Sequence, residues 1–200
     1  LILPTRKTTV YNLFEDIKPH LELLKEAGGI TFSGGEPLLQ SKALAILAQK
    51  CKDSGFHTAL ETSGIIPTQY IQNVHPFIDT WLIGMRLITD SSRAKARSLE
   101  KATRKTLDFL TQKTDADIII RIPVIPNFTT SKSYQETVKK MIGEYQIKKI
   151  ELLPYNPESS HYYNAIGLPF HLDYNQAQAD KEFQDVAEFF NIYQPKIETL

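Results

Sequence analysis

One cysteine in 200 residues, Cys51, is the scarcest resource in this sequence. It excludes an intrachain disulfide framework, a four-thiolate zinc site, and an iron–sulfur cluster held by this chain alone. Surplus charge is also lacking: 23 Lys and Arg stand against 23 Asp and Glu. Without a basic excess, counterion release cannot drive general nucleic-acid binding. The longest apolar run, Ile118–Pro126, is interrupted by Arg121 and falls far short of the ~20 residues of a membrane helix. No basic-then-apolar segment opens the chain, so the reading is cytoplasmic, with no membrane and no nucleic acid as partner. The histidines (His20, His57, His75, His161, His171) show no metal-ligand spacing, which argues against a zinc hydrolase. Linkers, solenoid repeats and low-complexity tracts are absent, so residues 1–200 read as a single domain. The chain begins at Leu1 rather than Met, and the expectation is a C-terminal portion of a longer parent.

What is present is a regular alternation. Apolar spacing of three and four predicts a helix over 8–27, stopped by Gly28-Gly29. Ile30–Phe32 reads as a short strand, and Glu36-Pro37 as the start of a helix reaching Lys52. Further strands are expected over 56–61, 78–85, 117–124 and 149–153. The helical segments are one led by Pro67, then 92–113, 132–145 and 174–190; the tail 195–200 is expected to add a short strand. Strands joined by crossover helices run parallel, which gives an α/β domain of about five parallel strands.

In such a sheet or barrel, ligands bind beyond the carboxyl ends of the strands. Those ends carry Ser33-Gly34-Gly35-Glu36, Thr62-Ser63-Gly64, Gly84-Met85-Arg86, Arg121 and Pro154-Tyr155-Asn156. Two glycines admit a ligand close to the backbone, Glu36 suits an ammonium group, and Arg121 is a permanent cation in an apolar strand. The set suits a zwitterion such as an amino acid. Each feature also has a plainer reading: a tight turn for Gly34-Gly35, a structural ion pair for Arg121, a turn for Thr62-Ser63-Gly64 and for Asn156-Pro157. Cys51 reads as a non-catalytic thiol, and the charges of 93–105 as a solvated helix face.

Ile30-Thr31-Phe32-Ser33-Gly34-Gly35-Glu36-Pro37-Leu38-Leu39-Gln40 resembles the strand and turn of radical S-adenosylmethionine (SAM) proteins. His57–Gly64, Arg121–Pro126 and Lys149–Asn156 follow in the order of the glycyl-radical-enzyme activases and narrow the resemblance to that group. The resemblance implies a partial (β/α)6 TIM-like barrel with its first strand missing. It also implies SAM as cofactor, with Ser33, Gly34, Gly35, Glu36, Thr62, Arg86, Arg121 and Asn156 as its pocket. A [4Fe–4S] cluster would belong to the intact parent only, held by a Cys-x3-Cys-x2-Cys loop that this sequence does not contain. The partner would be a glycyl radical enzyme, for example of the pyruvate formate-lyase type, whose glycine gives a hydrogen to a 5′-deoxyadenosyl radical. The chain alone should be inactive. Two strand ends depart from the family pattern: Gly84-Met85-Arg86 stands for acid-x-base, and Asn156 for a histidine. The alternative is a degenerate, non-catalytic barrel that binds a protein or a small ligand. An open edge at 29–32 is expected to be shielded by Leu1–Pro4 or by a neighbouring chain, a route to self-association.

Overall fold

The computed structural model describes residues 7–20, 23, 24, 26, 28–86, 93–173, 175–191 and 196–198. Six strands are β1 Ile30–Phe32, β2 Thr58–Thr62, β3 Thr80–Gly84, β4 Asp117–Pro123, β5 Lys149–Leu153 and β6 Lys196–Glu198. The helices are α1 Val10–Ile17, α2 Ser41–Asp53, α3 Thr68–Val74, α4 Arg93–Lys113, α5 Lys132–Glu144, α6 Ser159–Ala165 and α7 Gln176–Asn191.

All strands are parallel and lie in the order β1-β2-β3-β4-β5-β6. Because each right-handed crossover steps in the same direction, the helices gather on one face and the sheet curls away from them. This is the partial barrel that the sequence suggests, with the tail supplying a sixth strand. Leu1–Pro4, the expected cover for the β1 edge, lie outside the described residues.

Register sorts the side chains. Paired residues of parallel strands share a face, so Leu60, Trp81, Ile83, Ile120, Ile122, Ile150 and Leu152 form the buried helix-facing layer. Against it pack Leu47 and Cys51 of α2, Ile71 of α3, Leu107 and Leu110 of α4, Val138 and Met141 of α5, and Val186 of α7. The alternate residues, among them Glu61, Gly84, Arg121 and Glu151, line the concave face.

The differences from the sequence reading have local causes. Thr9 caps α1 by accepting from Asn12 N at 3.1 Å, but Pro19 has no N–H to continue the helix, and a 3-10 turn over Lys18–His20 replaces it. β2 starts two residues late because Gly55, at φ 83°, turns the chain and Phe56 N is spent on Cys51 O. The helix expected from Glu36 opens as a 3-10 turn, Pro37–Gln40, before α2 begins. Ser159–Ala165, expected as loop, is the short helix α6. None of its residues is buried, so no apolar period marks it in the sequence.

Candidate functional site

The mouth of the barrel is built from a clamp, an ion-pair chain and two turns. The clamp begins where β1 ends. Gly34 and Gly35 have φ of 89° and 56°, the left-handed region that glycine enters without strain. Nothing lies within 4 Å of where a Cβ would sit on either. The two turns re-aim the chain so that Glu36 caps the Pro37–Gln40 turn, accepting from Leu38 N at 3.3 Å. Its carboxylate also reaches the β2 tip, accepting from Thr62 Oγ1 at 2.8 Å, Ser63 N at 3.0 Å and Ser63 Oγ at 2.8 Å. Those four donors fill the lone-pair sites of an ionised carboxylate. Glu36 thus binds two strand ends to each other.

The ion-pair chain crosses the concave face. Arg121 Nε donates to Glu151 Oε2 at 2.6 Å, and its Nη1 lies 3.2 Å from Glu61 Oε2. Ser33 Oγ donates to that same Glu61 oxygen at 2.7 Å. The Arg121 side chain is only 16% exposed, so its desolvation has to be offset by paired carboxylates. The plainer reading of Arg121, a structural ion pair, is what the geometry shows. Two acids to one base leave this trio with one net negative charge.

At the β3 end, Met85 is buried, donating its N–H to Arg121 O at 2.7 Å and accepting from Tyr134 Oη at 2.8 Å. Arg86 is exposed, and its Nε lies 3.6 Å from the position a Gly84 Cβ would take, with Thr62 O at 3.5 Å from that same point. At the β5 end, Asn156 closes its own turn: Oδ1 accepts from Glu158 N at 2.9 Å, and its carbonyl accepts from Ser159 Oγ at 2.7 Å. Ser33, Glu36, Thr62, Arg86 and Arg121 therefore share one mouth with the glycine turn. Asn156 stands at its rim, its amide oxygen already used.

Glu61 and Glu151 carry much of this geometry without having been singled out from the sequence as site residues. A single acid inside each of two short strands, TALET and KIELL, was the available signal. Cys51 is fully buried in α2 and faces the helix layer, and burial pushes its thiol up to about 11. Among the described residues no group of His, Cys, Asp or Glu is arranged to hold a metal ion. What the mouth offers is a bare backbone turn, an exposed guanidinium and the ion-paired trio Glu61, Arg121 and Glu151 with one carboxylate in excess. Such a set can hold a small zwitterion with a positive centre directed inward.

A family model described as a 4Fe-4S single cluster domain matches residues 5–105. The (2S)-3-sulfopropanediol dehydratase activating enzyme of Klebsiella oxytoca is 32% identical over 84% of this chain and 55% of its own length. The pyruvate formate-lyase-activating enzyme of Clostridium pasteurianum is 30% identical over 82% of this chain and 68% of its own. The chain thus spans little more than half of the first of these proteins. Among solved structures, a domain of a pyruvate-formate lyase-activating enzyme from Bacteroides vulgatus superposes with a TM-score of 0.62 at 20% identity, covering 86% of this chain and 99% of that one. SuiB of Streptococcus suis, bound to its precursor peptide SuiA, superposes with a TM-score of 0.69 at 13% identity over 99% of this chain and 43% of that one.

Proposed function

The chain belongs to the radical SAM activating enzymes of glycyl radical enzymes, and from that premise we propose that it is the SAM-binding barrel portion of such an activase. The supporting observation is the convergence of Ser33, Glu36, Thr62 and Arg121, through direct contacts, on one mouth that opens beside an uncovered glycine turn.

The residues present fit SAM. The uncovered backbone of Gly34 and Gly35 can approach the methionyl end, where a side chain would stand in the way. Glu36, saturated by its own chain, holds that turn in place and fixes Thr62 beside it. Arg86, exposed and near the Thr62 carbonyl, is placed for the carboxylate. The net negative charge of Glu61, Arg121 and Glu151 favours a sulfonium over a neutral thioether. Asn156 contributes a polar rim.

Bound to a [4Fe–4S] cluster that gives it one electron, SAM would release methionine and supply the one-electron chemistry for taking a hydrogen from a glycine of the partner enzyme, with Gly34, Gly35 and Arg86 holding its methionyl end. With Cys51 sealed in the helix layer, this sequence has no thiolate to offer such a cluster, so the chain alone is inactive and the iron ligands come from elsewhere in the parent. The chain's own work is to orient SAM and to leave the mouth open to the partner, a glycyl radical enzyme in the cytoplasm.

The test uses the full-length parent with its cluster reconstituted anaerobically and then reduced. Formation of 5′-deoxyadenosine is expected, and replacing Gly35 by Val should lower SAM affinity at least about tenfold. A fully loaded cluster that yields no 5′-deoxyadenosine overturns the reading.

A further inference from the structure

A second cavity lies beside the mouth and belongs to none of the contacts above. It encloses about 350 Å³ between the turn after β4 and helix α6, and its walls are Ile125, Phe128, Tyr155, Tyr163, Phe170 and Leu172. Of the nine large apolar residues exposed among the described residues, Phe128 and Tyr163 line this cavity, and Tyr162, Ile166 and Leu168 lie on or just after the same helix. Single exposed apolar residues need no explanation, but a contiguous group on an ordered surface marks an interaction site.

The surface is ordered because the backbone is tied on both sides. Phe128 is 53% exposed, yet its turn is fixed. Asn127 takes φ 63°, Thr129 Oγ1 accepts from Ile125 N at 2.7 Å, and Asn127 N donates to Glu182 Oε2 at 3.2 Å. Across the cavity, Gly167 at φ 70° ends α6, with Leu168 N donating to Tyr163 O at 3.0 Å. That C-terminal turn folds residues 169–172 back over the helix, so Phe170 meets Tyr163 edge to face at 5.5 Å between ring centroids. Two tight turns therefore hold aromatic rings apart around an open space.

Charge narrows the occupant. The stretches 123–131 and 154–173 contain no Lys or Arg; His171 lines the cavity, His161 pairs with Glu158 at 2.6 Å, and Asp173 beside the lining and Glu182 under the Phe128 turn leave the acids in excess. The cavity reaches the β5 tip, because Tyr155 and Ser159 line it on either side of Asn156 in the chain. Its volume of about 350 Å³ is more than twice the roughly 150 Å³ that holds a benzene ring, room for one large side chain together with its adjoining backbone, and SuiB, of similar fold, is seen bound to a precursor peptide.

We infer that this cavity anchors an extended segment of the partner protein, taking one aromatic or large aliphatic side chain whose neighbour is basic. The inference rests on the proposed function only for the partner's being a protein.

The test is a titration of the isotope-labelled chain, followed by amide NMR shifts, with three capped dipeptides: Phe-Lys, Ala-Lys and Phe-Glu. Phe-Lys should shift amides in 125–129, 155–163 and 168–172, with half-saturation on the order of 1 mM. Ala-Lys should bind at least about tenfold more weakly, and Phe-Glu about threefold more weakly at low salt. Phe128→Ser and Tyr163→Ser should each weaken Phe-Lys about fivefold, whereas Ile46→Ser, exposed on α2, should not. Equal binding of Ala-Lys and Phe-Lys, or shifts confined to other residues, overturns the inference, as does sedimentation showing a dimer that Phe128→Ser dissociates. The full-length parent with its loaded cluster separates the two readings: absence of 5′-deoxyadenosine there counts against the function, whereas the dipeptide shifts report on this cavity alone.

Discussion

At Gly64 the chain has no room for a methyl group. Its φ is 66°, and a Cβ would lie 2.9 Å from Ile83 Cγ2, while its carbonyl accepts from the buried Thr106 Oγ1 at 2.8 Å. Gly64→Ala should therefore cost roughly 2–3 kcal/mol, since steric overlap adds to left-handed strain. Gly35→Ala, with open space around it, should cost about 1 kcal/mol. Urea unfolding of both variants checks the contrast. Cys51 is the opposite case, a residue chosen for packing. Buried, with its thiol pushed up to about 11, it should stay unreactive toward an aromatic disulfide reagent at pH 8 and react at once in denaturant. Among single residues, the sequence exposed those that break a pattern: two adjacent glycines, a lone thiol, an arginine among isoleucines. It did not show that the Glu36 carboxylate would be filled by Thr62, Ser63 and Leu38. Leu38 is a local partner, but Thr62 and Ser63 lie across a strand pair, and only the parallel register brings them to Glu36.

Between elements, polar ties decide how the layers sit. Tyr134 of α5 is buried, and its hydroxyl donates to Met85 O at the end of β3. Tyr134→Phe leaves that carbonyl without its buried donor and should cost about 1–3 kcal/mol, read as a lowered midpoint in urea with an unchanged slope. At the opposite end of the barrel, Asp79 precedes β3 and holds the start of β2, accepting from Thr58 N and Thr58 Oγ1, while Lys52 of α2 pairs with it at 2.6 Å. Burial raises its carboxyl pKa, but Lys52 and the Thr58 bonds outweigh this, and the net shift is downward. A folded pKa below the unfolded one contributes stability above the usual carboxylate range, which is lost as pH falls below about 4. Asp79→Asn should lower stability at pH 7 and flatten the acid limb of a stability–pH curve measured by thermal melting. At this scale the sequence was informative about long elements and poor on short ones. β5 was readable from its own composition, whereas α6 buries none of its residues and carries no period to read.

For the whole molecule, the alternation of strands and helices already required parallel pairing, because a crossover helix returns each strand in the same sense. The single cysteine and the balanced charge framed, from the sequence alone, the expectations that the cluster ligands lie elsewhere in a longer parent and that no polyanion is the general partner. Strand order was different. A doubly wound sheet and a curled one have the same alternation, and only the tertiary structure, stepping one way from β1 to β6, puts every helix outside and leaves a concave face. That curvature sets Glu61, Arg121 and Glu151, far apart in the chain, within ion-pair distance. Composition and local spacing act through neighbours in the chain and could fix the elements and the chemistry available. The meeting of those groups depends on register and sheet curvature, which are properties of the packed whole.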